Sequence, residues 1–172
     1  MKLLALVDGE PLLNRTLASL LDADVTAVVV VLSPGADLAA AGGLQHPRVH
    51  QVINPDPSRG MFSSIQSGLA ASATAGGDPV LVLPADMPFV TPATIRLVAD
   101  ECARVNRPVV ATHGGRRGHP LALPGNLVPG LLSATATGSL KEALASLVVD
   151  VTHLELDDAG VLRDVDVPAD LA

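Results

Sequence analysis

Residues 79–90 read PVLVLPADMPFV. Four consecutive apolar residues, Val80 to Leu83, run into Pro84; a carboxylate follows at Asp86, and Pro88 stops the strand from resuming. A short unbroken apolar run is the pattern of a strand covered on both faces, as strands are in a parallel sheet layered between helices. The same pattern recurs in VTAVVVVL (25–32), RVHQVIN (48–54), PVVATH (108–113) and VVDVTHLEL (148–156). Helical periodicity fills the intervals over 11–21, 61–73, 92–105 and 140–147. In the second of these, Met61, Ile65 and Leu69 form one stripe at i, i+4 and i+8. Thr91 and Pro92 supply an N-cap followed by proline at the first helical position. Strands alternating with helices predict a three-layer α/β fold with a mostly parallel sheet and right-handed crossovers.

Composition supports one domain over residues 1–172, a chain long enough to bury roughly 70% of its unfolded surface. Hydrophobic residues make up 48% of the chain and aromatic ones 1%, so the core is expected to be aliphatic. Prolines and glycines are spread along the chain and read as turns; no internal repeat or linker interrupts the alternation. A single cysteine, Cys102, excludes an internal disulfide and suits a reducing cytoplasm. No apolar run approaches a membrane span, and Asp8, Gly9 and Glu10 break the LLALV run too early for a secretory signal. A net charge of −7 argues against general nucleic-acid binding, though not against a small anion held by local cations.

Three places offer chemistry. In open α/β sheets ligands sit beyond the carboxyl ends of the strands, where Asp86 falls; a carboxylate there either holds a hard cation such as Mg²⁺ or caps a turn. The segment NPDPSRGMFSSIQSGL (54–69) leaves a strand at Asn54 and enters a helix at Gly60, with Ser63 and Ser64 in the first turn. Such a start is either an anion site or an ordinary capped helix. The third place is RDVDVPADL (163–171), where Asp164, Asp166 and Asp170 stand close together. Its acids are either functional or solvated. His46, His50, His113 and His153 lack the clustering of a zinc site.

Together these segments resemble the nucleotidyltransferases related to molybdenum cofactor cytidylyltransferase, the MobA-like NTP transferases. LPADMP is similar to that family's metal motif, and 54–69 to its Asn…Gly-Met-x-x-Ser segment. RRGHPLAL (116–123) resembles its Gly-His-Pro stretch, and DVDVPADL its Asp-Ile-Asp-Thr-Pro ending. The resemblance implies a Rossmann-like fold of the GT-A nucleotide-diphospho-sugar transferase type. It implies Asp86 and Asp166 as Mg²⁺ ligands, and Lys2 as a phosphate contact. Asn54, Gly60 and Ser64 would line a nucleotide or acceptor pocket, with Arg59 meeting anionic groups; Gly118, His119 and Pro120 would border the acceptor.

The implied reaction joins a nucleoside monophosphate from an NTP, CTP before GTP, to a small phosphorylated acceptor such as molybdopterin, and releases pyrophosphate. Positioning and charge suffice for it, and no side-chain nucleophile is required. Guanylyl or sugar-phosphate nucleotidyl transfer is the alternative, the DMP form of the motif departing from the DQP form of the cytidylyl enzymes. A non-catalytic binding domain is the other. The family's first strand and its glycine-rich phosphate loop have no counterpart before Lys2. The expectation is therefore an N-terminally short domain that binds nucleotide weakly and associates into homo-oligomers through unpaired sheet edges.

Overall fold

The computed structural model describes residues 6–7, 10–39, 42–72, 79–135 and 139–165. Lys2 and Asp166 lie outside them. Two short strands, β1 (Leu6–Val7) and β2 (Glu10–Pro11), form an antiparallel ladder that leads into helix α1 (Leu12–Asp22). Strands β3 (Val28–Leu32) and β4 (Val49–Ile53) then pair in parallel, Val28 opposite Val49. Helix α2 (Met61–Ala71) crosses to β5 (Val80–Val82), and α3 (Pro92–Val105) follows. A hairpin of β6 (Val109–His113) and β7 (Arg116–Leu123), two short helices α4 (Val128–Ser133) and α5 (Leu140–Ser146), and β8 (Thr152–Glu155) complete the order.

Local chemistry explains where these elements start and stop. Thr91 caps α3 by accepting a hydrogen bond from the Thr94 amide, and the helix ends at Asn106, whose φ of 50° is left-handed. Ser139 and Glu142 form a reciprocal capping box on α5. Gly114 and Gly115 join β6 to β7 with φ values of 57° and 73°, the backbone that a tight two-residue hairpin demands.

Strand order in the larger sheet is β5-β7-β6-β8, with β3 and β4 forming a separate pair. The larger sheet is mixed: β7 runs antiparallel to both β5 and β6, while β8 runs parallel to β6. An eight-residue strand over 116–123 was not among the expected strands, and Gly118, His119 and Pro120 lie within it.

Helices cover both faces, giving the three layers. On one side α2 sets Phe62 and Leu69 against Val80, Val82 and Leu123, with Leu131 of α4 and Leu144 of α5 in the same cluster. On the other, Leu13 and Leu17 of α1 pack on Val28, Val30 and Leu32, while Val98 and Cys102 of α3 pack on Val109, Ala111 and Ala122. Helix α2 also reaches the smaller sheet, since a Cβ at Gly68 would stand 3.1 Å from Val31 Cγ2. Burial pushes the Cys102 thiol up to about 11, so it serves as core and not as a nucleophile.

Candidate active site

Asp86 stands where the sequence places it, in the turn that follows β5, half-buried. Two bonds from distant elements hold that turn. Thr16 Oγ1 of α1 donates to the Ala85 carbonyl at 3.1 Å, and the Val165 amide donates to the Asp86 carbonyl at 3.0 Å. Met87, Pro88 and Val90 are buried just beyond, so the acid projects from an anchored loop. The Val165 bond also brings the C-terminal acidic segment onto Asp86, and within the described residues the acid delivered there is Asp164.

His119 lies within electrostatic reach of both Asp86 and Asp164. Burial holds its pKa below the usual histidine range, and that effect is opposed by a hydrogen bond to the Val82 backbone and by the charges of Asp86 and Asp164. The imidazole is therefore neutral near pH 7. Its Nδ1 is buried without a hydrogen-bond partner among the described residues. An orphaned buried nitrogen is costly. The peptide bond from His119 to Pro120 is cis.

Gly118 has a structural reason. A Cβ there would lie 2.1 Å from the Val161 carbonyl oxygen, so β7 and the turn over residues 159–162 touch backbone to backbone. Arg116 and Arg117 are exposed, Arg117 pairing with His153 Nε2 at 2.6 Å.

The second group of candidates gathers at the start of α2. Asn54 is 2% exposed; its Nδ2 donates to Ser63 Oγ at 2.9 Å and Ser64 Oγ at 3.0 Å, while its Oδ1 accepts from the Asp56 amide. Asn54 thus braces the proline-rich turn with its own polar atoms, a role that the spacing from Asn54 to the two serines already allowed. Gly60, with φ of 89°, leads into α2 without a side-chain cap. Exposed Arg59 lines a cavity of about 470 Å³ together with Asn54, Ser63, Gln66 and Thr135. Both groups lie beyond the carboxyl ends of strands, Asn54 after β4 and Asp86 after β5.

Two hard oxygen donors, Asp86 and Asp164, fit Mg²⁺ or Mn²⁺, which complete their shells with water and phosphate oxygens. No cluster of three His, Cys, Asp or Glu residues that could enclose a metal occurs among the described residues. The acids fit an open site shared with substrate better than a closed structural one.

Comparison with known proteins shows the family. The profile of the MobA-like NTP transferase domain matches residues 1–152, and the chain belongs to that family. Phosphoenolpyruvate guanylyltransferase of Nocardia farcinica is 30% identical over 152 residues, covering 84% of this chain and 62% of that protein. The 3-deoxy-manno-octulosonate cytidylyltransferase of Chlorobium phaeobacteroides is 33% identical over 111 residues, or 64% of this chain and 43% of its own length. The chain thus spans less than two thirds of either curated relative. Two crystal structures of Rv0371c from Mycobacterium tuberculosis, one of them a manganese complex, align with TM-scores of 0.80 and 0.77 over 98% of this chain. They cover at 85% and 88% of their own length with 23% and 22% identity, and establish the shared fold.

Proposed function

We propose that this chain is a nucleotidyltransferase domain dependent on a divalent cation, moving a nucleoside monophosphate from an NTP to a phosphate-bearing acceptor and releasing pyrophosphate. Family membership supports the reaction class. The observation that carries the placement of the chemistry is the Val165–Asp86 bond, which sets a second acidic segment against the acid at the end of β5.

In this reading Asp86 holds the cation with Asp164 or Asp166, and the cation offsets the charge that builds on the transferring phosphoryl group. Lys2 and Arg59 contact phosphates, Gly60 and the amides that open α2 face an anionic group, and Asn54 and Ser64 shape that pocket. Gly118, His119 and Pro120 of β7 border the acceptor. Either Mg²⁺ or Mn²⁺ suits the two acids, and a Mn²⁺ complex is known for the structural neighbour Rv0371c. The edges of β3 and β5 that have no partner among the described residues offer a route to homo-oligomers.

Two nucleotide choices follow from different observations. The motifs favour CTP with molybdopterin as acceptor. The relative that aligns over more of this chain is a guanylyltransferase acting on phosphoenolpyruvate, which favours GTP and a small phosphorylated carboxylate. Pyrophosphate release measured with CTP, GTP, ATP and UTP, each with molybdopterin or phosphoenolpyruvate and with Mg²⁺ or Mn²⁺, separates them. Release that needs cation, one nucleotide and one acceptor supports the proposal. Absence of release in every combination contradicts it.

A further inference from the structure

Asp158 receives an unusual concentration of donors for a half-buried surface acid. Its Oδ2 accepts from Thr94 Oγ1 at 2.6 Å, Thr91 Oγ1 at 2.9 Å and the Thr91 amide at 3.1 Å. Its Oδ1 accepts from the Gly160 amide at 2.9 Å. Burial acts to raise its pKa, but the hydrogen bonds from Thr94, Thr91 and Gly160 outweigh it and hold the carboxyl below its ordinary range. Three of the four donors come from the first turn of α3, more than sixty positions away in sequence, so the carboxylate is a tie between two segments.

The tied segment leads directly to the candidate site. Gly160 presses on the loop before α3 so closely that a Cβ would lie 2.1 Å from the Phe89 carbonyl. Val161 is fully buried against Gly118 of β7, and the Arg163 guanidinium stacks on the Phe89 ring at 4.0 Å. Val165 then bonds the Asp86 carbonyl. Residues 158–165 are therefore clasped onto the loop 86–91, anchored at one end by Asp158 and presenting Asp164 beside Asp86 at the other. An eight-residue span with its first residue pinned has little freedom left at its last acid.

We infer that Asp158 is a positioning residue: by tying residues 158–165 to the start of α3, it sets where Asp164 stands relative to Asp86. The consequence for cation affinity rests on the metal reading given above. Asp158 itself touches neither cation nor nucleotide. Residues that orient ligand-bearing groups typically change metal affinity by about 10–100-fold when removed.

The test uses the full chain and two readouts, exchange of the Val165 amide hydrogen and Mn²⁺ affinity by paramagnetic resonance, both well below the melting temperature. Asp158→Asn turns an amide toward donors and should speed Val165 exchange and weaken Mn²⁺ binding by about tenfold or more. Thr94→Val, which removes one donor and no charge, should move both readouts in the same direction and serves if Asp158→Asn does not fold. Thr94→Ser restores the hydroxyl and should match the unaltered protein. Leu144→Ala lowers stability from the far side of the core and should leave both readouts in place. Unchanged Val165 exchange in Asp158→Asn and Thr94→Val overturns the inference. If the unaltered protein binds no Mn²⁺, the metal reading falls, and Val165 exchange alone still decides whether Asp158 positions the segment.

Discussion

Strands β3 and β6 are built from similar residues and end in different environments. VVATH of β6 has neighbours on both sides, β7 and β8, and lies under α3; Val109 and Ala111 are fully buried. VVVVL of β3 pairs with β4 alone among the described residues, and beyond Val28 its side chains are only half-buried. Strand β5 is likewise half-buried and, among the described residues, pairs with β7 alone. An apolar strand records that its two faces are covered, but not how many of its edges are. The faces of β3 are covered by α1 and α2; what differs, among the described residues, is the number of strands paired to its edges.

The contrast can be broken by matched truncations. Leu123→Ala on β7 removes a fully buried side chain and should cost about 2–5 kcal/mol, whereas Leu32→Ala on β3 should cost about 1 kcal/mol because water already reaches it. Urea denaturation measures both. Equal costs would mean that β3 is as enclosed as β7 in solution.

A smaller effect sharpens the comparison at His119. Its folded pKa lies below the ordinary 6.5 because of burial, so between those two values the unfolded chain takes up a proton that the folded one refuses. Stability should therefore fall as pH drops through that window and be fully present above about 6.5. His119→Gln should flatten the decline, read as a reduced difference in melting temperature between pH 5 and pH 7.5. An undiminished slope would place the titrating group elsewhere.

Much of the fold was legible because its determinants are local. The runs at 28–32, 49–53, 80–82 and 109–113 became strands, and Thr91-Pro92 began α3 where its capping chemistry required. Strand β7 escaped because RRGHPLAL carries a proline, a histidine and two arginines, and reads as a loop. The signal for it is Gly114-Gly115, a hairpin mark directly after the strand-like run 108–113. At the site, the sequence placed Asp86 at a strand end, where it either holds a cation or caps a turn. The Asp158 tie was not, because its partners Thr91 and Thr94 are remote in sequence and each already reads as part of a helix cap. Gly118 was recognisable as special, but only the fold shows that the Val161 backbone is what excludes a side chain.

The central claim is that the acid following β5 carries the cation on which nucleotide binding depends. Calorimetric titration of CTP and of GTP into the unaltered chain and into Asp86→Asn, each with Mg²⁺, with Mn²⁺ and with chelator, tests it most directly. The account predicts nucleotide binding that requires the cation and disappears in Asp86→Asn, while that variant keeps its melting temperature, since removing one of two neighbouring acids relieves repulsion. Cation-dependent binding of undiminished affinity in Asp86→Asn would contradict it.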